Sequence, residues 1–265
     1  MLGKKAIVPA LTTRRNTQDG RALDFYHHVV APALSRFPGD DFWTRMVSQA
    51  SMQEPAVRHA VISISSIYEL VDDTPCELML VNPKGRYAMV QYNHALQQLT
   101  SIQDESVVLF TCILFVCLEI LRDNKMAALT HVAYGIRVFN NSHRRHSSWA
   151  ADYFRPIFIR LTSCPFFFGA TNEVLPVLYG AHGPAVPGPQ DSYAVARHRL
   201  DILTALSVHF VRKYEAMAPE KRKAEPDCSC FEEQQSDLVW RLDDWMANYD
   251  VLIAANPPPA DNPTP

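Results

Sequence analysis

A chain of 265 residues with 48% hydrophobic and only 20% charged side chains can bury a substantial core, which excludes a disordered activator. Its formal net charge of -3 supplies no basic excess for holding phosphates, so autonomous nucleic-acid binding is disfavoured.

Met1 to Ala10 contains two lysines but too short an apolar stretch, and no clear cleavage site, for a signal peptide. Residues 1–18 mix Pro9 with Lys4, Lys5, Arg14 and Arg15 without periodicity and read as a flexible arm. Asp19 is the expected cap of a helix from Arg21 to Leu34, with Leu23, Tyr26, Val30 and Leu34 at helical spacing and Pro32 bending or ending it. Asp40 or Asp41 is the expected cap of Phe42 to Ala50, whose apolar stripe is Trp43, Met46, Val47 and Ala50. Glu54-Pro55 places a proline in a first turn, where its missing N–H has no helical partner to lose, and predicts a helix to Val71. Asn82-Pro83 repeats that start signal for Lys84 to Thr100. Asp104 and Glu105 open a strongly apolar helix to Leu121, too short and too interrupted by Thr111 and Glu119 for a membrane span. Asp123 or Asn124 starts another, closing near Asn140 and Asn141, which suit a left-handed cap.

Two of these helices look alike when Tyr92 is aligned with His131, an offset of 39 residues. Further helices are expected over Trp149 to Leu161, with a kink at Pro156, over Ser192 to Met217 and over Glu232 to Ala255. Between them lie a proline-rich insertion at 163–190 carrying Phe166, Phe167 and Phe168, and a charged connection from Pro219 to Cys230. A proline-rich tail at 256–265 is expected to be disordered. No segment alternates long enough to make a sheet. The fold expected is all-α, a single helical domain over 19–255 built of stacked antiparallel helix pairs in a superhelix-like arrangement.

The blocks Asp41-Phe42-Trp43-Thr44-Arg45-Met46-Val47-Ser48-Gln49-Ala50-Ser51 and Glu54-Pro55-Ala56-Val57-Arg58-His59-Ala60-Val61 resemble the regulatory region of fungal binuclear zinc-cluster transcription factors. Tyr92 to Leu96, Cys112 to Glu119, and Ala127 to His131 before Gly135 continue the likeness in the same order, over about Asp24 to Asn140. In that family a six-cysteine cluster with Cys-x-x-Cys pairs binds two zinc ions and reads DNA, ahead of the helical region. Here no cysteine precedes Cys76, and Cys228-Ser229-Cys230 has the wrong spacing. The six cysteines are scattered, as in a reduced intracellular chain. The resemblance implies transcriptional control of a metabolic pathway, in the nucleus or cytoplasm. It implies a protein partner, as homodimer or heterodimer with a related transcription factor, and room for a small-molecule effector.

Trp43, Arg58, His59, Tyr92, His94 and His131 are the candidate lining of a ligand pocket. Arg58 offers a guanidinium fork for a carboxylate or phosphate, against the plainer reading that it pairs with Glu54 one turn earlier while His59 sits at a helix interface. His94 and His131 could converge, yet no Cys, Asp or Glu stands beside either at ligand spacing, so packing is favoured over metal. His143 to His146 is the most basic short run and reads as a solvated loop rather than a phosphate site. Asp243, Asp244 and Asp250, and Asp72, Asp73 and Glu77, miss the spacing of magnesium-binding carboxylate motifs. Cys112 and Cys117 read as inert core thiols. No nucleophile elbow, phosphate loop or Gly-x-Gly-x-x-Gly occurs, so no cofactor, metal or catalytic residue is expected. The competing reading is an enzyme of secondary metabolism with its pocket around Trp43, Arg58, Tyr92 and Phe166 to Phe168.

Overall fold

The computed structural model describes residues 17–35, 41–143, 149–163, 175–176, 178, 192–215 and 228–255. Among these there is no strand, and the fold is all-α. Contacts divide the chain into two compact units, Met1–Ala150 and Ala151–Pro265. Most of the arm at 1–18, most of the insertion at 163–190, with Phe166 to Phe168, and the tail at 256–265 lie outside the described residues.

The first unit opens with α1 (Gln18–Phe25), which runs through a π-helical turn, Tyr26–Val30, into the short α2 (Ala31–Leu34). Thr17, not Asp19, caps α1: its hydroxyl accepts from the amide of Gly20 at 3.1 Å. Its extended backbone presents the oxygen to the first turn, while Asp19 is already inside the helix and accepts from the Tyr87 hydroxyl instead. Pro32 neither ends the helix nor bends it alone. In the π-turn the Ala31 amide reaches back five residues to the Tyr26 carbonyl, resetting the ladder just before the residue that cannot donate.

A second π-turn, Phe42–Met46, leads into α3 (Val47–Gln53). Asp41 precedes it without capping, and its carboxylate pairs with Arg45 at 3.2 Å. The extra residue in this turn rotates the apolar stripe. Phe42, Trp43 and Val47 are buried together with Ser48 and Ser51, while Met46 and Ala50 are only half-buried.

Next come α4 (Pro55–Tyr68), α5 (Cys76–Met79), α6 (Pro83–Leu99), α7 (Glu105–Leu121) and α8 (Lys125–His143). α4 packs against α1, α3, α6 and α7 and is buried on all sides from Ala60 to Ile67. That explains three serines inside it: Ser65 and Ser66 donate to the carbonyls of Val61 and Ile62, and Ser63 donates across to Ala88 of α6 at 2.8 Å. The Ser63–Ala88 and His59–Gln91 bonds run in opposite chain directions, so α4 and α6 are antiparallel. α6 and α7 begin where the sequence placed them. Asn82 accepts from Lys84 and Asp104 accepts from Ser106, at 2.9 and 2.8 Å.

α7 is apolar around its circumference, with Ile113, Leu114, Phe115 and Leu118 fully buried. Each such side chain contributes about 1.5–3 kcal/mol relative to exposure. A tight turn with Asp123 at φ 54° and Asn124 as cap reverses the chain into α8, which packs on α7. Asn140 and Asn141 do not close α8. They are helical, Asn140 is buried, and the helix runs to His143.

The second unit contains α10 (Tyr193–Glu215) and α11 (Cys228–Ala255), with α9 (Trp149–Thr162) entering it from residue 151. α11 begins earlier than the expected Glu232. The contacts Tyr193–Tyr249, Ala196–Trp245 and Phe210–Phe231 run in opposite directions, so α10 and α11 form an antiparallel pair. Its core joins Ala196, Leu203, Trp245 and Leu252, and the Trp245 indole donates to the Ala196 carbonyl at 3.0 Å. Asp201, buried, accepts from Arg160 of α9 and Arg197 of α10 at 2.8 and 3.0 Å.

Candidate functional site

The six nominated side chains all lie in the first unit, and the structure distributes them among separate neighbourhoods. Trp43 is buried in the second π-turn, edge-on to Phe42, and its carbonyl accepts from the buried Tyr26 hydroxyl at 3.2 Å. Phe42 in turn stacks on Phe110 of α7. Burial pushes the Tyr26 hydroxyl well above its ordinary range, so it remains a donor.

Arg58 turns its guanidinium to the end of α3 rather than to Glu54. It donates from Nε to the Ser51 carbonyl at 2.9 Å and from a terminal nitrogen to the Met52 carbonyl at 2.7 Å. These carbonyls belong to the last turn of α3, which has no following helical amides to accept from, so the guanidinium closes that end. Its backbone amide, not its side chain, meets Glu54, at 3.0 Å on the Glu54 carbonyl.

His59 sits at the α4–α6 interface, as the plainer reading had it. Its Nδ1 bonds the Gln91 amide oxygen and therefore carries the proton, and its ring lies edge-on to His94 with centroids 5.2 Å apart. His131 belongs to another group. Its Nε2 is 2.9 Å from the Tyr92 hydroxyl, and its ring leans on Phe115. Among the described residues, no three His, Cys, Asp or Glu side chains gather as a metal site would require.

The Tyr92–His131 pair leads to two residues that the sequence reading did not nominate. Glu119, 2% exposed, receives two bonds from Arg122 at 3.1 and 3.0 Å. Burial, then Glu119, raise the Tyr92 hydroxyl above its ordinary value, with Arg122 opposing. Tyr92 and His131 share a hydrogen bond between α6 and α8, whose direction follows the His131 tautomer. Burial lowers the His131 pKa, partly offset by Glu119, and holds the ring neutral. Two polar pairs result: Tyr92–His131 ties α6 to α8, and Glu119–Arg122 sits at the end of α7. Such pairs can fix the register of the helices that carry them. Burial pushes the Cys112 thiol of α7 up to about 12, so it stays protonated.

A family model described as the fungal specific transcription factor domain matches residues 21–163, more than half of the chain. The chain belongs to the fungal-specific transcription factor domain family. Its role is accordingly in the regulation of transcription. Comparison with curated proteins and with solved structures gives no match. The matched span of this fungal transcription factor domain runs from α1 to the end of α9 and takes in every nominated residue as well as Glu119 and Arg122. No described helix is long and apolar enough to cross a membrane.

Proposed function

We propose that these residues form a non-catalytic regulatory module of the fungal transcription factor family, acting in the nucleus on a metabolic pathway's genes through a protein partner. DNA contact is made by that partner, a relative carrying the same helical region. The carrying observation is that polar side chains nominated as a pocket are turned to the protein itself: Arg58 to α3 carbonyls, His59 to Gln91, and Tyr92 and His131 to each other. An enzyme needs such groups converging on a substrate-sized cavity. Here they hold helices in register. The net charge of -3 over these 265 residues supports leaving base reading to other residues.

The test is to fuse the chain to an unrelated sequence-specific DNA-binding domain and measure a reporter carrying that domain's site. The fusion is expected to change reporter output relative to the DNA-binding domain alone, and E119Q, which loosens the scaffold, should weaken the change. A fusion as inert as the DNA-binding domain alone would overturn the reading.

A further inference from the structure

The two ends of the α11 circumference have opposite characters. One side, Trp245 and Leu252 with Leu242 and Tyr249, is packed against α10. The other exposes Val239, Trp240, Met246 and Val251, at 51%, 63%, 59% and 50% of their surface. At 100° per residue these four fall within one broad stripe together with Glu232, Glu233, Asp243 and Asp250, all exposed. A tryptophan left open to this degree is unusual, and exposed apolar side chains gathered around one mark a contact surface. The stripe from Val239 to Val251 is about 18 Å long, the length of about three helical turns.

Charge selects the occupant. α11 carries six carboxylates and a single cation, Arg241, which is held by Asp237 at 2.8 Å. A second copy laid on this face would bring carboxylates against carboxylates, so self-association is opposed. A basic helix fits: its apolar side chains cover Val239 with Met246 on one edge of the stripe and Trp240 with Val251 on the other, while Lys or Arg side chains between them meet Glu232, Asp243 and Asp250, which lie between those edges. We infer that the outer face of α11 is a docking surface for a short helix that interleaves lysine or arginine with its apolar residues, presented by a partner protein. This deepens the regulatory reading, on which it rests only in taking the occupant to be a protein.

The test uses the full chain and three amidated 16-residue peptides. One has Leu at i, i+3, i+4 and i+7 spacing with Lys elsewhere, the second has Glu in place of Lys, and the third has the first's composition with its Leu scattered around the helix. The first is expected to bind with a Kd on the order of micromolar and to blue-shift the tryptophan emission, as desolvation of Trp240 requires. W240A should weaken binding about tenfold or more and abolish most of the shift, as truncation of a central aromatic anchor does. D243N with D250N should weaken it and flatten its salt dependence, while M52A, an exposed methionine in the other unit, should leave it unchanged. Equal binding of the three peptides, indifference to W240A, no binding, or a dimer in sedimentation that W240A makes monomeric would overturn the proposal. A chain inert in the reporter assay that still selects the first peptide keeps the surface and loses the regulatory reading, and the converse result separates them the other way.

Discussion

Glu119 places a carboxyl group, 2% exposed, in the strongly apolar helix α7, and its two bonds from Arg122 are what make that position tolerable. Removing one partner of a buried pair leaves the other uncompensated, whereas replacing both with apolar groups need not. Arg122→Met is therefore expected to destabilise the protein by about 2–4 kcal/mol in urea unfolding, with the Glu119→Leu/Arg122→Met double variant less damaged than the single. Additive losses would show that the pair is not coupled. His131 gives a second handle. Burial lowers its pKa, as it does those of His27 and His198, so each folded form holds its proton less firmly than the unfolded chain, whose histidines titrate near 6.5. The stabilisation from keeping these rings neutral is complete above that value and is lost as pH falls through it towards the folded pKa values. Stability is expected to decline between about pH 7 and pH 5, with a shallower slope in His131→Gln; an unchanged slope in that variant would remove His131 from the account. The sequence exposed His131 and Tyr92, because both stand at matching places in two similar helices. It hid Glu119, which reads as an interruption of an apolar run until a helix partner three residues on is allowed for. The partners of Arg58 were not legible, because the carbonyls it closes, Ser51 and Met52, lie behind it across the Glu54 turn rather than one turn away on its own helix.

Most helices announce their own starts, since Glu54-Pro55, Asn82-Pro83 and Asp104 supply the first-turn chemistry that the structure uses or tolerates. The π-turns carried no such mark. Each adds one residue to a turn, and a pattern search at fixed period meets only a stripe that changes direction, as it does between Phe42 and Ser51. Packing between elements was equally silent at Gly85. It lies in the first turn of α6, where a generic helix would gain from alanine. Here a Cβ would fall inside the Met79 carbonyl of α5, which is backbone and cannot rotate away. Gly85→Ala is thus expected to destabilise by roughly 2 kcal/mol or more, the reverse of the helix-propensity effect, by forcing α5 and α6 apart. A melting temperature equal to or above that of the parent would show that α5 yields freely.

At the scale of the whole molecule, the balance of charge decides what the chain can do with DNA. Specific binding needs side chains presented to base edges, and it draws much of its affinity from neutralised phosphates. With 25 Lys and Arg against 28 Asp and Glu, the chain has no overall attraction for a polyanion. Its short basic runs, Arg14-Arg15, His143 to His146 and Lys221 to Lys223, are far apart in sequence. Of them only His143, at the end of α8, falls within the described residues. The α11 face, acidic and apolar, would repel a phosphate backbone and attract the kind of basic helix that DNA also attracts. Titrated against matched specific and scrambled duplexes at about 0.15 M salt, where exposed charges are screened beyond roughly 8 Å, these residues are expected to show weak binding at most, with no preference between the two. Tight binding that distinguishes the duplexes would require a base-reading surface within the 265 residues and would overturn the division of labour between this module and its partner.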